Sequence, residues 1–494
     1  MVDRPRLPMR LLRRRSVQAL LVVSLLGVAV VAVAVAGSHG RSRYDTTHRR
    51  GDVDATSIAA RPPKAVTATR HYVFPLGVSK NHRYLVDRRG MPFMIVGDSP
   101  HSLIGNLSTQ AAAAYIANRR AAGFDALLVD LLCTTYADCR SDGSTFDGIA
   151  PFTREGDLST PNPAYFNRAA AILRLAQKAN MAVFLDPIET GGWLDVLRSN
   201  GAAVDTSYGR FVARRFRAFR NIVWLSGNDF QTWKDPADDT LVRSVAAGIH
   251  AVDPGALQTI ELNYLRSASR DDRRWRRIIT LDGAYTYFAT YAEVLHEFER
   301  RPPMPVFLLE AGFEFEQNLP EISYGSPQTL RRQEYWTALS GATGQFYGNH
   351  YTWSFVDGWT RHLDTAGSVQ LGYLVRLLAR LPWYQLVPDV AHRIVTKGYG
   401  TFAPTRNVAS SSYVTTAATR DRKLAISYLP TGGTIRVAMS SLRKPTRASW
   451  YDPTSGEYRA AKGSPFVGRG SIRLTAPPRN SAGDRDWVLV LTSP

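Results

Sequence analysis

Two carboxylates, Asp229 and Glu310, each follow a short apolar segment of the chain. Glu310 ends the unbroken apolar run of residues 306–309, and Asp229 comes after residues 222–225 and a Ser-Gly-Asn tripeptide. Such short runs are typical of strands buried on both faces, where an ionised side chain is costly unless it has a partner or a function. Two carboxylates in one cleft can hydrolyse a glycosidic bond, one as acid and the other as nucleophile or base.

Carboxylates, amides, imidazoles and flat aromatic rings follow other predicted strands. Such side chains suit a sugar, because they bind its hydroxyls and stack on its C–H faces. For Asp98 and Asp130, a helix-cap or turn role is an equal alternative. Glu261 lies inside its strand, where we expect it to form a salt bridge. We predict that the following residues bind substrate: Asp98, His101, Asp130, Asp186, Trp193, Asn228, Asn263, Tyr285, Tyr287, Asn349, His350 and Trp353.

Motifs for other chemistries are missing from the sequence. No HxH or HExxH pattern supports a metal site for His101 and His350, so hydrogen bonding is their favoured role and no metal is predicted. No Gly-rich phosphate loop follows the first strand, so no nucleotide or other cofactor is expected. The missing Gly-x-Ser-x-Gly elbow weakens an esterase interpretation. Glu314 and Glu316, on the loop after Glu310, are the main alternatives to it as a catalytic residue.

The elements that would position these residues alternate along the chain. Apolar segments alternate with amphipathic or Ala-rich segments of helical pattern, which favours parallel strands joined by crossover helices. Eight repeats over about 290 residues fit a (β/α)8 TIM barrel. In such a barrel Asp229 on the fourth strand and Glu310 on the seventh open into the same mouth. The strands are predicted at 93–97, 126–132, 182–188, 222–225, 257–262, 278–281, 305–309 and 344–347. The helices on either side of the fourth strand are predicted at 207–219 and 240–252.

Both ends of the chain differ from this central part. Three Arg at 13–15 precede a mainly apolar run at 17–36, which indicates an export signal that is either cleaved or kept as a membrane anchor. The body would then be extracellular, or anchored and facing outside. After about residue 391, short alternating strands and turns predict a small antiparallel β-sandwich. The predicted domains are a signal peptide or anchor helix at 1–37, a flexible linker at 38–70, the barrel at 71–392 and the sandwich at 393–494.

The net charge and the cysteine content limit which binding partners and which cellular compartment we predict. The net charge is +19, and the first 36 residues hold six Arg and one Asp, so +14 remains for the rest. This surplus would suit anionic neighbours such as acidic polysaccharide or lipid headgroups, although solvated Arg-rich helix faces are the favoured explanation. No zinc-finger or RNA-binding motif is present, so no nucleic-acid partner is predicted. Cys133 and Cys139 are predicted to form a disulfide, with two free thiols as the alternative.

Short motifs occur in a fixed order along the chain. The central part contains Leu85-Val86-Asp87-Arg88-Arg89-Gly90-Met91-Pro92-Phe93, Gly97-Asp98-Ser99, Gly123-Phe124-Asp125-Ala126, Ser226-Gly227-Asn228-Asp229 and Glu310-Ala311-Gly312. In order and content it resembles the apiosidase-like catalytic domain family of exported glycoside hydrolases. The tail contains Tyr428-Leu429-Pro430-Thr431-Gly432, Trp450-Tyr451-Asp452-Pro453-Thr454-Ser455-Gly456 and Asp486-Trp487-Val488-Leu489. It is similar to the small domain, labelled collagen-binding, that often follows that catalytic domain.

The resemblance implies a chemistry for the two carboxylates. Related barrels use the Glu of an Asn-Glu pair as acid/base, and apiosidase-like enzymes have Asn-Asp, so Asp229 would be the acid/base and Glu310 the nucleophile. The implied activity is retaining hydrolysis of furanosidic bonds, apiose- or arabinose-like, in polysaccharide or oligosaccharide. Retention predicts carboxyl groups about 5–5.5 Å apart, whereas about 9 Å favours inversion. The alternative is a non-catalytic envelope protein that binds glycan or protein on a barrel scaffold.

Overall fold

The computed structural model describes residues 70–231 and 234–494. The predicted signal or anchor at 1–37 and the linker, apart from its last residue, lie outside the described residues. Within the described ranges, no helix combines the length and apolar character needed to cross a membrane.

Eight parallel strands and their helices form the central part of the chain. Three short strands precede them and pair antiparallel: β1 Gly77–Val78, β2 Leu85–Val86 and β3 Pro92–Phe93. The barrel elements are β4 Ile95–Asp98, α1 Leu103–Asn106, α2 Thr109–Ala122, β5 Ala126–Asp130, α3 Pro163–Lys178, β6 Ala182–Asp186, α4 Thr190–Phe216, β7 Ile222–Phe230, α5 Pro236–Val252, β8 Gln258–Leu262, β9 Arg266–Ala268, β10 Asp282–Thr286, α6 Thr290–Glu299, β11 Val306–Glu310, α7 Pro327–Leu339, β12 Gly344–Tyr347 and α8 Ala366–Ala379. Strand β9 runs antiparallel to β10.

The strands form a nearly closed barrel in the order β8-β7-β6-β5-β4-β12-β11-β10-β9. Between β8 and the residues just before β10, single hydrogen bonds replace a regular ladder. The Thr280 amide donates to the Gln258 carbonyl over 2.8 Å, and the Thr259 hydroxyl donates to the Leu281 carbonyl over 3.1 Å. These bonds satisfy backbone groups that an open sheet edge would leave unpaired. The predicted (β/α)8 barrel is therefore confirmed.

Several predicted element bounds are wrong, each for a local reason. The sixth barrel strand is Asp282–Thr286, not residues 278–281. Its Gly283 fits closely under the Leu309 side chain, where a Cβ would lie 2.8 Å from Leu309 Cδ2. Helix α5 begins earlier than residue 240, because Asp235 caps it and Pro236 occupies its first turn. Helix α4 is much longer than the predicted 207–219 and is interrupted at Gly201, where φ is 76°.

The C-terminal part is an antiparallel sandwich that lies against the barrel helices. Its strands are β13 Leu386–Pro388, β14 Val395–Lys397, β15 Thr415–Thr419, β16 Leu424–Leu429, β17 Thr434–Ala438, β18 Arg447–Tyr451, β19 Tyr458–Ala460, β20 Ser471–Thr475 and β21 Trp487–Thr492. Strand β13 belongs to this sheet although the barrel was predicted to extend to residue 392. One sheet has the order β13-β15-β16-β21-β18-β19 and the other β14-β17-β20.

The six-stranded sheet is apolar on both faces because it is the middle layer. Tyr428 and Val488 belong to the apolar cluster that includes the barrel helices. Their chain neighbours Leu429 and Leu489 belong to a second cluster, shared with Val437 of the three-stranded sheet. Successive strand residues point to opposite faces, so the layers follow in the order barrel helices, six-stranded sheet, three-stranded sheet.

Helix α7 makes several of the polar contacts between the barrel and the sandwich. The buried Arg331 guanidinium donates to Asp486 over 2.9 and 2.8 Å and to Asp484 over 2.6 Å. Trp336 Nε1 donates to the Tyr413 carbonyl over 3.0 Å. Since α7 follows β11, these contacts also fix the helix that comes after Glu310.

Candidate active site

Both catalytic candidates lie at irregularities in the barrel ladders. In the pairing of β10 with β11, Ala284 is opposite Leu308 and Tyr285 is opposite Glu310, so Leu309 is an extra residue. Leu309 faces the apolar barrel interior, and the bulge allows the next side chain, Glu310, to turn toward the mouth as well. Regular alternation would have sent Glu310 to the helix side.

The second irregularity contains Asp229. Between β7 and β8 the register is regular to Ser226 opposite Ile260 and resumes at Phe230 opposite Leu262. The residues between them on β7 are left-handed, with φ of 111° at Gly227, 66° at Asn228 and 54° at Asp229. Gly, Asn and Asp tolerate this region better than other residues. Within the described barrel ladders, the two register shifts are the ones beside Asp229 and Glu310.

Two tyrosines from β10 and the loop after it hold Glu310. The Tyr287 hydroxyl donates to Glu310 Oε1 over 2.7 Å, and Tyr285 is a second donor. Burial raises the pKa of Glu310 to about 7, and the charge of Asp229 adds to this shift. His101 and the two tyrosines act in the opposite direction. The Asp229 carboxylate is therefore close enough to influence the protonation of Glu310.

Asp229 is held by a residue that the sequence analysis did not select. The Tyr136 hydroxyl donates a hydrogen bond to Asp229 Oδ2. Burial and the charge of Asp229 raise the pKa of Tyr136, so the phenol stays neutral and remains a donor. Tyr136 lies in a single turn at Thr135–Ala137, inside the loop that a disulfide between Cys133 and Cys139 closes. The short cysteine spacing was the one signal in the sequence that pointed to this loop.

Glycines allow the disulfide loop to lie close to its neighbours. A Cβ at Gly191, in the first turn of α4, would lie 2.4 Å from the Tyr136 ring. A Cβ at Gly105 in α1 would lie 2.6 Å from Cys133 Sγ. The Ser102 hydroxyl donates to the Ala137 carbonyl. Helices after the first and third barrel strands thus fix the loop that carries Tyr136.

A layer of buried carboxylates lies below the mouth. Along β5 and β6, Asp130 and Asp186 continue the inward face of the apolar core residues, and Glu261 does the same on β8. One oxygen each of Asp130 and Asp186, and both of Glu261, have no hydrogen-bond partner among the described residues. Burial, followed by the charge of Asp130, raises the pKa of Asp186. These oxygens can accept hydrogen bonds from sugar hydroxyls.

The predicted salt bridge of Glu261 is wrong. Within the described chain no cation pairs with its carboxylate, and burial together with the charges of Glu310 and Asp229 raises its pKa. His101 contacts this layer, with its Nδ1 3.4 Å from Asp130 Oδ1. Burial is the largest single influence and would lower the pKa of His101, but the charge and hydrogen bond of Asp130, together with the charges of Glu310 and Asp186, outweigh it and the net shift is upward.

Asp98 and Asn349, both predicted to bind substrate, lie in the barrel wall. Asp98 is fully buried, accepts a hydrogen bond from Tyr115 over 2.6 Å and lies 3.5 Å from the Arg119 guanidinium of α2. Asn349 is buried and donates to Tyr347 Oη over 3.0 Å. Side chains alternate along a strand, and Gly97 and Phe346 occupy the positions that face the barrel interior. Asp98 and Asn349 are on the other face, toward the helices. The side chains that they contact belong to the framework of the barrel.

The remaining predicted residues lie in different surroundings. Trp353 packs against the Cys133–Cys139 loop, and its ring centroid lies 6.0 Å from that of His101. His350 is at the exposed rim, 3.2 Å from Glu316. Trp193 is buried against Phe152. The Asn228 carbonyl accepts a hydrogen bond from Thr190, and Asn263 is half-buried after β8.

Neither of the alternative carboxylates competes with Glu310. Glu314 is buried in a network with Tyr347 and Thr365, and it accepts a hydrogen bond from the Gly367 amide over 2.9 Å. Glu316 pairs with His350. Within residues 70–231 and 234–494, no group of three or more His, Cys, Asp or Glu side chains is arranged to hold a metal ion.

Family models match both parts of the chain in the predicted order. The model for apiosidase-like catalytic domains matches residues 79–385. A model described as the collagen-binding domain of a collagenase matches residues 405–492. No curated protein matches the chain.

Solved structures share the fold over most of its length. One, described as a glycoside hydrolase, has a TM-score of 0.73 and 20% identity, and the match covers 86% of this chain and 99% of that one. Another, a glycoside hydrolase family 5 protein from Bacteroides vulgatus, has a TM-score of 0.72 and 18% identity, with 86% and 95% covered. At these sequence identities, the similarity to solved structures supports the fold alone. Membership of the family is supported by the family model, which spans more than half of the chain. The chain therefore belongs to the apiosidase-like catalytic domain family and is a glycoside hydrolase.

Proposed function

We propose that this glycoside hydrolase cleaves furanosidic bonds, apiose- or arabinose-like, with retention of anomeric configuration. Glu310 is the nucleophile and Asp229 the acid/base. The observation that carries the proposal is the pair of register shifts, which direct two mutually interacting carboxylates into one mouth. A non-catalytic binding protein would have no need of two such bulges, because bulges break ladder hydrogen bonds.

The proposed reaction has two steps. In the first, a Glu310 oxygen bonds to the anomeric carbon as the glycosidic C–O bond breaks, and Asp229 gives its proton to the leaving oxygen. In the second, Asp229 takes a proton from water, the water oxygen bonds to the anomeric carbon and Glu310 is released. Tyr287, which donates to Glu310 Oε1, fixes the orientation of the attacking carboxylate.

The mechanism requires one proton on the pair of carboxyl groups. Burial and the charge of Asp229 raise the pKa of Glu310 to about 7, so the two groups do not both ionise at lower pH. Because such a pair titrates jointly, the single proton is available to Asp229 when substrate is bound. The neutral Tyr136 and Tyr287 donate to one carboxylate each and stabilise whichever of them is charged.

Family membership supports the substrate class, and the N-terminal sequence supports the location. The furanosidic substrate is supported by membership of the apiosidase-like family. Export is supported by the basic residues at 13–15 followed by the apolar run at 17–36. We infer that the enzyme acts outside the cytoplasm, on envelope or environmental polysaccharide, and that an uncleaved N-terminal segment would tether it to the membrane.

A substrate screen tests the proposal. The protein is incubated with aryl apiosides, aryl arabinofuranosides, arabinan and pectic polysaccharides, and the anomeric configuration of the first product is followed by NMR. We expect release from at least one furanoside, with the substrate configuration retained in the first-formed sugar. Initial release of the opposite anomer would contradict a nucleophilic Glu310, and cleavage of pyranosides alone would contradict the furanoside assignment.

A further inference from the structure

The three-stranded sheet β14-β17-β20 presents its outer face to solvent. Its inner face packs on the six-stranded sheet through Val395, Val437 and Leu474, all in the sandwich core. Because side chains alternate along a strand, the residues between these core positions point away from the sandwich and from the barrel behind it.

Three cations form a row across this outer face. Arg436 on the central strand is directly opposite Arg473 on β20. Lys397 on β14 is opposite Arg436 on the other side, after a register shift at Thr396 that breaks the alternation from the buried Val395 and leaves Lys397 exposed. Neighbouring strands are about 4.8 Å apart, so the row places one positive charge on each strand at roughly that spacing. Lys397 and Arg473 are exposed, and Arg436 is partly exposed.

This arrangement is unfavourable for the isolated protein. Like charges directly opposite each other on a sheet destabilise it. Within residues 70–231 and 234–494, no carboxylate lies within 4.0 Å of the side-chain nitrogens of the three cations. More positive charge lies beyond the start of β20, where burial and the nearby Arg469 lower the pKa of Lys444. An anion bound along the row would remove the repulsion.

The neighbours of the cations carry hydroxyl groups. Thr434 and Thr475 are opposite each other beside the row, with their Oγ1 atoms 2.9 Å apart. Ser471 is the next outward residue on the other side along β20. A sheet face with cations on adjacent strands and hydroxyls beside them suits an extended polymer with a carboxylate on successive units, since guanidinium groups bind carboxylates with two parallel hydrogen bonds.

We propose that this basic row, Lys397-Arg436-Arg473, binds an acidic polysaccharide of the uronate type and thereby holds the enzyme on its polymeric substrate or on a neighbouring acidic chain. The choice of a polysaccharide over another polyanion rests on the proposed function of the barrel. The binding itself needs no turnover, so it can be measured separately from catalysis.

The test measures binding of the purified full-length protein to polygalacturonate by affinity electrophoresis. Neutral arabinan and vesicles that contain anionic lipid are the comparison ligands. We expect polygalacturonate to retard the protein, with binding that weakens as salt is added. Binding to neutral arabinan that equals binding to polygalacturonate, or binding to vesicles alone, would overturn the proposal.

Matched variants localise the binding. The variant with Lys397→Gln, Arg436→Gln and Arg473→Gln removes the row, and the control with Arg273→Gln, Arg276→Gln and Arg277→Gln removes the same charge from exposed positions on the barrel. We expect the first to weaken polygalacturonate binding about tenfold or more and the control to change it less than about twofold. Equal weakening by both would overturn a specific site. The single variant Arg473→Gln, expected to weaken binding about threefold, provides the same test if the triple variant is unstable.

Cleavage of small aryl furanosides separates this proposal from the catalytic one. The row lies on the outer layer of the sandwich, so its loss is expected to leave that activity unchanged. An enzyme with no glycosidase activity that still binds polygalacturonate through the row would contradict the proposed reaction and leave the binding proposal standing.

Discussion

At the scale of single residues, the site combines two carboxylates with neutral hydroxyl donors. Glu310 accepts from Tyr287 over 2.7 Å, and Asp229 accepts from Tyr136. Each donor stabilises the charged form of its carboxylate, whereas burial and the neighbouring carboxylate destabilise it. For Glu310 the destabilising effects dominate and its pKa is raised to about 7, so we expect the pair to keep one proton below that pH.

We predict that activity falls as the pH rises through about 7. The pKa of Glu310 is raised to about 7, and loss of the proton that the pair shares leaves no acid for the leaving group. The pH profile of kcat/KM should therefore have its alkaline limb near that value. An alkaline limb above about pH 9 would contradict the shared proton, because a group whose pKa is raised to about 7 has lost its proton well below that pH.

Tyr136→Phe should move this alkaline limb upward. The substitution removes a donor that favours ionised Asp229, so the carboxyl keeps its proton to higher pH. A hydrogen bond to a charged group is worth about 1.5–3 kcal/mol, which corresponds to about one to two pH units at most. The control is Tyr458→Phe, an exposed tyrosine of the sandwich, which should leave the limb in place. An unchanged limb in Tyr136→Phe would show that the phenol has no influence on the acid/base.

At the scale of elements, the loop closed by Cys133 and Cys139 connects the fold to the acid/base. Gly191 in α4 leaves room for Tyr136, whereas Gly77 in β1 has open space around its Cβ position. Gly191→Ala should push the Tyr136 ring away from Asp229 and lower kcat/KM about tenfold or more. Gly77→Ala should have no such effect. Full activity of Gly191→Ala would mean that the loop does not set the position of Tyr136.

The barrel and most of its inward residues could be predicted from the sequence. Alternating apolar and helical segments specified the strands, and Asp130 and Asp186 continue the inward parity of β5 and β6. The same rule of alternation places Asp98 on the helix side of β4, where it faces α2. It fails for Glu310, because the bulge at Leu309 reverses the alternation. A bulge depends on pairing with the neighbouring strand, so one strand read alone does not reveal it.

Tyr136 was missed for a different physical reason. It lies on no strand end, and its contact with Asp229 joins residues 93 positions apart. Only the folded disulfide loop brings the two together. The wrong bounds predicted for the sixth strand also have their origin in packing. Gly283 belongs to the strand because it fits under the Leu309 side chain, and a single segment of sequence does not show this contact.

At the scale of the whole molecule, a buried ion pair joins the barrel to the sandwich. The side chain of Arg331 is 1% exposed and that of Asp486 is 0% exposed. Arg331→Ala would leave Asp486 buried without its cation, which costs about 3–5 kcal/mol. We predict a loss of that order in the free energy of unfolding, measured with denaturant. Arg406→Ala breaks an exposed pair with Glu321 and should cost less than about 1 kcal/mol. Equal losses in the two variants would contradict the role of Arg331.

The most direct test of the account compares Glu310→Gln and Asp229→Asn on two aryl furanosides, one with an activated leaving group and one without. The account predicts that Glu310→Gln lowers kcat/KM at least about a thousandfold on both, because no nucleophile remains. Asp229→Asn should lower it at least about a hundredfold on the unactivated substrate but much less on the activated one, whose leaving group needs no acid. Near-normal turnover by Glu310→Gln, or an Asp229→Asn defect equal on both substrates, would contradict the assigned roles.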